Sequence, residues 1–170
     1  MKVIAVTGRS GEGKTTLIEK VAKELSARGF SVTYIKHSHH DFSFAPEGKD
    51  TSRILGSGAM RAIFCGERIT VDISKKGRSL GDVLNAVDRG DVVLVEGFGN
   101  EDIPAIEVTG SGDDSLLRGK NIVALVSRSR VGTHIPVFSP EDIDGIVKFI
   151  LGMPDGRDDD HGQGGTDDSV

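Results

Sequence analysis

Short apolar runs alternate along the chain with segments whose apolar residues recur every three or four positions. Runs of consecutive apolar residues are typical of strands buried on both faces of a parallel sheet. Apolar residues at helical spacing are typical of helices that bury one face. The predicted strands are 3–6, 30–35, 59–65, 69–73, 92–95, 105–108, 122–126 and 135–138, and the predicted helices are 16–25, 50–55, 79–87 and 139–150. This alternation predicts an α/β protein in which helices flank a mostly parallel central sheet in three layers.

Local signals mark the ends of several of these elements. Gly29 ends the first helix, and Ser79 has the cap position of the third. In the last helix Ser139 has the cap position and Pro140 the first helical position, an order typical of helix starts. Pro136 restricts the last strand to a sheet edge or to a strand start, because proline lacks the N–H that a central strand donates.

A glycine-rich segment joins the first strand to the first helix. Residues 8–15 read Gly-Arg-Ser-Gly-Glu-Gly-Lys-Thr and match the phosphate-binding pattern G-x-x-x-x-G-K-[ST]. In this setting backbone N–H groups surround phosphate oxygens, and the helix N-terminus favours negative charge. Lys14 can then reach the β and γ phosphates, and Thr15 can offer its hydroxyl to Mg²⁺. The sequence therefore predicts a nucleoside triphosphate site in a P-loop NTPase fold. The nucleotide-binding candidates here are Gly8, Ser10, Gly11, Glu12, Gly13, Lys14, Thr15 and Thr16.

Two acidic residues are candidates for further contacts to the magnesium ion. Glu96 directly follows the apolar run 92–95, where a parallel sheet would direct it toward the phosphates; the alternative is a carboxylate that faces solvent. Asp50 begins a predicted helix after the loop of the second strand, and the alternative there is an ordinary helix cap. Thr15, Asp50 and Glu96 form the predicted metal site, and Lys14 joins the two carboxylates as the predicted catalytic group.

Three of the five histidines lie within residues 37–40, directly after the second predicted strand. Three interpretations remain open for this segment: ligation of a transition metal, contact with substrate or phosphate, and a merely polar loop. In an extended segment His37 and His39 share a face while His40 points away, so ligation by all three requires a turn.

The composition limits the number of domains and the class of partner. The 170 residues suit one domain, predicted as residues 1–152, and a disordered acidic tail at 153–170. The tail is interpreted either as a solubilising terminus or as a partner-binding segment. Because the tail carries the acidic excess behind the net charge of −5, the domain is near neutral and no nucleic-acid surface is predicted.

The remaining composition bears on the cellular setting. Cys65 is the single cysteine and cannot form an internal disulfide. No apolar run approaches membrane-spanning length, and no signal-peptide pattern precedes the first strand. These features predict a cytoplasmic protein without a membrane partner.

Five motifs in fixed order resemble a known family. They are GEGKTTLIEK at 11–20, IKHSHHDF at 35–42, PEGKDTSR at 46–53, LVEGF at 94–98 and IEV at 106–108. Together they resemble the molybdopterin-guanine dinucleotide biosynthesis adaptor family, called MobB, from the first strand to about Val108. Two positions depart from that pattern: Ala105 stands where a lysine is common, and Ser127-Arg128 stand where an aspartate is common.

The resemblance implies a GTP-binding protein with weak Mg²⁺-dependent GTPase activity. It would assist a MobA-type molybdenum cofactor guanylyltransferase in converting molybdopterin to its guanine dinucleotide form. By that similarity Lys14 and Thr15 hold phosphate and Mg²⁺, and Asp50 and Glu96 lie beside the metal. The histidine loop, with His37, His39 and His40, would face nucleotide or cofactor, and Arg53 is a further candidate for nucleotide contact.

Nothing in the residues themselves selects guanine, because no Asn-Lys-x-Asp element is present. Two other functions therefore stay open: an ATP-dependent ligase or kinase of the dethiobiotin synthetase type, and a GTP-driven metal-insertion chaperone that uses the three clustered histidines. A homodimer is a further expectation, since the alternating strand 69–73 could extend a partner's sheet.

Overall fold

The computed structural model describes residues 1–38, 50–87, 90–98, 101–110 and 120–156. The chain divides into two compact units, one of residues 1–37 and 87–170 and one of residues 38–86. The strands and helices of the first unit are β1 (Lys2–Thr7), α1 (Lys14–Ala27), β2 (Val32–Lys36), β5 (Val92–Glu96), β6 (Ala105–Thr109), β7 (Ile122–Ser127), β8 (Val137–Phe138) and α4 (Ile143–Gly152). Those of the second unit are α2 (Asp50–Gly56), β3 (Arg61–Cys65), β4 (Thr70–Ser74) and α3 (Leu80–Ala86).

The first unit is built on a six-stranded sheet in the order β2-β5-β1-β6-β7-β8. Every pairing in this sheet is parallel, which confirms the predicted mostly parallel sheet. All five residues of β5 are buried, as a central strand with four consecutive apolar residues requires. The short strand β8 lies at one edge, directly after Pro136, as the sequence predicts.

Helices α1 and α4 pack against each other and against β1. The apolar residues of each helix recur every three or four positions, so they form one stripe that packs on the sheet. The buried residues of α1 are Leu17, Ile18, Val21 and Leu25, and those of α4 are Ile146, Val147 and Ile150. They form one core with the residues of β1, β5, β6 and β7 that face them. This core holds the C-terminal ends of the strands in fixed positions beside the phosphate loop.

The second unit contains a two-stranded antiparallel sheet of β3 and β4. Both strands are predicted by the sequence, but they pair with each other and not with the strands of the central sheet. Arg61 bonds to Asp72 across the pair, with 2.5 Å from Nη2 to Oδ2, and this carboxylate raises the pKa of Arg61. Ser79 donates to Asp82 and accepts from its N–H at 3.1 Å, which confirms the predicted cap of α3.

The start of α4 differs from the prediction. Ser139 is not its cap: Asp142 is, and its Oδ1 accepts from the N–H of Gly145 at 3.0 Å. Ser139 instead accepts from the N–H of Glu141 at 3.3 Å within the preceding turn. The sequence offers two cap signals three residues apart, and the carboxylate of Asp142 complements the helix N-terminus better than a hydroxyl does.

The end of the described chain lies against its beginning. The N–H of Gly156 donates to the carbonyl of Met1 at 3.0 Å, and Asp155 forms ion pairs of 3.4 Å with both the terminal amine and Lys2. Residues 153–156 of the predicted disordered tail at 153–170 are described and include these contacts, whereas residues 157–170 are outside the described residues. Within the described ranges, no helix is long and apolar enough to cross a membrane.

Replacing Asp142 with alanine removes the cap of α4. We expect the free energy of unfolding to fall by about 1 kcal/mol, measured by chemical denaturation. Ser139→Ala is the matched control and should cost clearly less, because Ser139 lies outside the helix. Equal losses in the two variants would contradict the assigned cap.

Candidate phosphate and metal site

The glycines of residues 8–15 have backbone conformations that other residues rarely adopt. Gly8 has a φ of 133°, and a Cβ there would lie 2.3 Å from the carbonyl oxygen of Val108. Gly11 and Gly13 have φ values of 84° and 89°, in the left-handed region that favours glycine. The loop can therefore turn tightly at the end of β1 and lie close to β6.

Helix α1 begins directly at the end of this loop. Gly13 is its N-cap residue, and no side chain caps it. Lys14 Nζ donates to the carbonyl of Arg9 at 2.8 Å and so spans the loop. An uncapped helix N-terminus beside a lysine is a favourable environment for an anion. Glu12 is the one acidic residue of this loop. Its carboxylate accepts from the N–H of Gly110, which follows β6.

The carboxylate of Glu96 lies next to Thr15, as the sequence predicts for a shared metal. Both carboxylate oxygens are 3.4 Å from Thr15 Oγ1, and Glu96 is only 8 % exposed. Tyr34 Oη donates to Oε2 of Glu96 at 2.6 Å, and Lys36 Nζ is 3.6 Å from Oε1. A carboxylate this buried needs such partners to offset the loss of its hydration.

The turn after Glu96 is held against the end of β2. His37 donates its N–H to the carbonyl of Glu96 at 2.8 Å, and its ring centroid is 4.4 Å from that of Phe98. A Cβ on Gly97 would lie 2.7 Å from the carbonyl oxygen of His37. Phe98 has a φ of 52°, unusual for a bulky residue and typical of functional sites. His37 therefore belongs to the structure that fixes Glu96.

Beside the phosphate loop lies a cavity of about 290 Å³. Its walls come from the loop and the first two turns of α1, from the ends of β6 and β7, and from the turn before α4. The polar and charged side chains among its lining residues are Glu12, Thr16, Lys20, Thr109, Arg128 and Glu141. The cavity is thus an extension of the loop on the side of β6 and β7.

The remaining predicted site residues belong to α2 or to the histidine segment. Asp50 and Arg53 lie on α2 in the second unit and form an exposed pair at 4.0 Å, so their roles as metal and nucleotide contacts stay predictions. His39 and His40 are outside the described residues. Among the residues that are described, no group of three or more His, Cys, Asp or Glu side chains could hold a metal ion.

Sequence reasoning missed Tyr34 and Lys36. The parallel register sets Lys36 opposite Glu96 and Tyr34 opposite Leu94, so both follow from knowing that β2 is the neighbour of β5. A polar or aromatic residue at alternate positions near the end of a strand is the only sequence signal for them. Arg128 and Glu141 were also missed, because they are far from the phosphate loop in sequence and lie beside it only in the folded chain.

The family comparison agrees with this geometry. A model of the family described as molybdopterin guanine dinucleotide synthesis protein B, or MobB, matches residues 3–128. The chain belongs to the MobB family. The matched residues include the phosphate loop, Glu96 and all of β7, but not the turn before α4.

Relatives and solved structures in the MobB family resemble the chain over different lengths. A molybdopterin-guanine dinucleotide biosynthesis adapter protein of Haemophilus influenzae is 42 % identical over 108 residues, which is 61 % of each chain. The adapter protein of Escherichia coli is 28 % identical over 88 % of this chain and 91 % of its own. The crystal structure of a MobB homologue from Bacillus stearothermophilus has 28 % identity and a TM-score of 0.70, covering 89 % of this chain and 96 % of that one. Bacillus subtilis MobB has a TM-score of 0.76 at 23 % identity, covering 90 % of this chain and 100 % of that one, and so supports the fold alone. The P-loop NTPase fold with its mostly parallel sheet is therefore confirmed.

Tyr34 offers a direct test of the Glu96 contacts, because it is the one tyrosine of a chain without tryptophan. Tyr34 is 46 % exposed, yet partial desolvation of the phenol and then the hydrogen bond to Glu96 raise its pKa above the ordinary value of about 10. In a metal-free titration followed by phenolate absorbance, Tyr34 should ionise above that value. Glu96→Gln should lower its pKa part of the way back, since burial remains.

The sign of the linked stability effect follows from this direction. The contribution of Tyr34 to folding is complete below a pH of about 10, the unfolded value, and is lost as pH rises through the folded pKa. Glu101→Gln is the control, because that exposed residue should leave the titration unchanged. An ordinary Tyr34 pKa in the wild-type protein would contradict the contact.

Proposed function

We propose that this chain is a GTP-binding accessory protein of molybdenum cofactor biosynthesis. Residues 8–15 hold the triphosphate, and Thr15 and Glu96 bind Mg²⁺ directly or through its water. Hydrolysis is slow, and the bound nucleotide serves the conversion of molybdopterin to its guanine dinucleotide form. The observation that supports this most is the approach of Glu96 to Thr15 at the end of the phosphate loop.

The donor set fits magnesium. Two neighbouring ligands on an octahedral ion with bonds of about 2.1 Å are about 3 Å apart, and the two oxygens of Glu96 are 3.4 Å from the Thr15 hydroxyl. A hydroxyl and a carboxylate are hard oxygen ligands, and Mg²⁺ keeps several waters and needs few protein groups. When bound, the ion would neutralise charge that develops on the phosphates.

Lys14 and the loop supply the remaining charge complementarity. Lys14 bonds to the Arg9 carbonyl at 2.8 Å, and a triphosphate offers the ammonium group a stronger, charged acceptor. We infer that Lys14 turns from Arg9 to the β and γ phosphates when nucleotide binds. The helix N-terminus of α1 adds further stabilisation for the phosphates.

Slow hydrolysis follows from the way in which Glu96 is held. Its carboxylate accepts from Tyr34 at 2.6 Å and pairs with Lys36 at 3.6 Å, and these contacts position it for the magnesium ion. A general base must instead reach the attacking water. Fast phosphoryl transfer also needs a group that orients this water or an arginine that stabilises the transition state. Such a group could come from a partner, and Arg9 and Arg53 are the candidates in this chain.

The adaptor role is proposed from the family. The curated relatives are named molybdopterin-guanine dinucleotide biosynthesis adapter proteins, and a MobA-type guanylyltransferase is the partner that such a role requires. We propose that His37, His39 and His40, with Asp50 and Arg53, face the nucleotide or the molybdopterin cofactor. The chain would act in the cytoplasm, where Cys65 stays reduced.

The second unit supports a homodimer. Its apolar residues Ile63 and Phe64 of β3, and Ile69 just before β4, are 55 %, 61 % and 69 % exposed. The sheet has only two strands. Such a sheet is marginally stable alone, and its edge can be continued by a strand of another chain. We propose that a second copy of this chain covers the hairpin.

The nucleotide proposal is tested by calorimetry with GTP, ATP and GMP, with and without Mg²⁺. GTP with Mg²⁺ should bind the wild-type protein most tightly, and Lys14→Ala should weaken it about 100-fold, since a charged contact to the phosphates is lost. Glu96→Gln should lose most of the gain that Mg²⁺ gives to GTP binding. Fluorescence of Tyr34 should change on addition of Mg²⁺ and GTP in the wild-type protein.

Lys23→Ala is the matched control, because Lys23 is an exposed lysine of the same helix. It should leave the binding of GTP unchanged. Binding of ATP at least tenfold tighter than GTP, about 1.4 kcal/mol, would contradict the proposal and favour the ligase or kinase alternative. Binding that ignores Lys14 would contradict the phosphate site itself.

The dimer is tested by sedimentation equilibrium over a concentration series. The wild-type protein should approach twice the chain mass of 18.0 kDa, and Phe64→Glu should weaken the dimer at least tenfold, since burying one such ring stabilises by about 1.5–3 kcal/mol. Ser74→Glu adds the same charge on β4, at the end of the hairpin away from Phe64, without removing an apolar group, and should have little effect. A wild-type protein that stays monomeric at tens of micromolar, roughly the range of weak specific contacts, would contradict this surface.

A further inference from the structure

The cavity beside the phosphate loop has the position and size of a base site. Gly11 and Gly13 form one of its walls, and Arg128 and Glu141 form another. Its volume of about 290 Å³ is at the lower end of the roughly 300–1,000 Å³ of ligand pockets. It therefore suits a heterocyclic base and its sugar, while the phosphates of the same ligand extend along the loop.

Two carboxylates line this cavity, and their settings differ: Glu12 accepts from the N–H of Gly110, whereas Glu141 is exposed and lies in the turn before α4. Glu141 accepts from the hydroxyl of Ser139 at 2.5 Å. This hydrogen bond lowers the pKa of Glu141, and Arg128 and Lys20 lower it further. Glu141 is thus an ionised acceptor at neutral pH, and its two oxygens can accept several N–H bonds.

The purines differ in what they offer to such an acceptor. The Watson–Crick edge of guanine has two adjacent donors, N1–H and the 2-amino group, which match the two oxygens of a carboxylate. Adenine has an unprotonated N1 at the corresponding position, and its lone pair would face the negative charge. Xanthine has a carbonyl in place of the 2-amino group, and this oxygen would also face it.

We propose that Glu141 selects guanine by accepting hydrogen bonds from N1–H and the 2-amino group of the base, in the cavity between the phosphate loop and Arg128. This inference rests on the proposed GTP binding and assigns its base specificity. Glu141 thereby supplies an acceptor for guanine in a sequence that has no Asn-Lys-x-Asp element. The positive charge of Arg128 stabilises the carboxylate of Glu141 and attracts the acceptor groups O6 and N7 of guanine.

The position of Glu141 supports a role in specificity rather than in folding. It lies in the turn before α4, where Asp142 provides the helix cap. Its bond to Ser139 lies within that turn and spans two residues. The helix does not require a carboxylate at position 141, whereas the cavity has one wall formed by it.

The test is a change of base preference on Glu141→Gln. An amide can accept from N1–H and donate to a carbonyl, so it suits xanthine and loses one bond to guanine. We expect the Kd for GTP to rise roughly 10–100-fold, the Kd for xanthosine triphosphate to fall below that for GTP, and the Kd for ATP to change little. Inosine triphosphate, which lacks the 2-amino group, should bind the wild-type protein more weakly than GTP.

Two controls separate this inference from folding and from the proposed function. Glu19→Gln makes the same chemical change at an exposed position of α1 and should leave all affinities unchanged. Thermal unfolding of Glu141→Gln should match the wild-type protein. If the wild-type protein prefers GTP and Glu141→Gln keeps that preference, Glu141 does not read the base, although GTP binding stands. If the wild-type protein binds no triphosphate, the proposed function fails first and this inference fails with it.

Discussion

Parallel pairing of β5 with both β1 and β2 is the constraint on which the site depends. The register sets Val6 and Lys36 on either side of Glu96. Because parallel strands end at the same edge of a sheet, the loop after β1 and the carboxylate at the end of β5 must meet there. The apolar run of β5, buried on both faces, is what fixes this strand between its two neighbours.

Glu96 shows how burial and function are balanced at that edge. The carboxylate of Glu96, 8 % exposed, has lost most of its hydration. A buried ion pair adds little net stability, but removing one partner destabilises the protein strongly because the other charge stays buried. Thr15, Tyr34 and Lys36 together offset this loss. A magnesium ion would supply the same compensation more strongly, and Tyr34 and Lys36 also keep the carboxylate in place for it.

The sequence predicts the central features of this fold for physical reasons that act locally. A run such as 92–95 can be buried only in a central strand, and glycines followed by Lys14 and Thr15 have one common structural setting. Contacts made by register are different: Tyr34 meets Glu96 only because β2 is next to β5. Likewise, the choice of Asp142 over Ser139 as helix cap depends on how α4 packs, which no local signal reports. Glu141 and Arg128 come from separate segments, and only the folded chain joins them to the loop.

The phosphate-binding part and the base-binding part of a nucleotide site constrain the sequence differently. Phosphates are bound largely by backbone N–H groups and by charge, so the glycine pattern of residues 8–15 has few substitutes. A base is recognised by side chains on connecting segments, and different residues can supply the same acceptor. Ser127-Arg128 at the end of β7 are therefore compatible with guanine selection if a carboxylate reaches the cavity from elsewhere. Glu141 meets that requirement from a turn beyond the residues by which the family is matched, so a shared phosphate site does not require a shared way of reading the base.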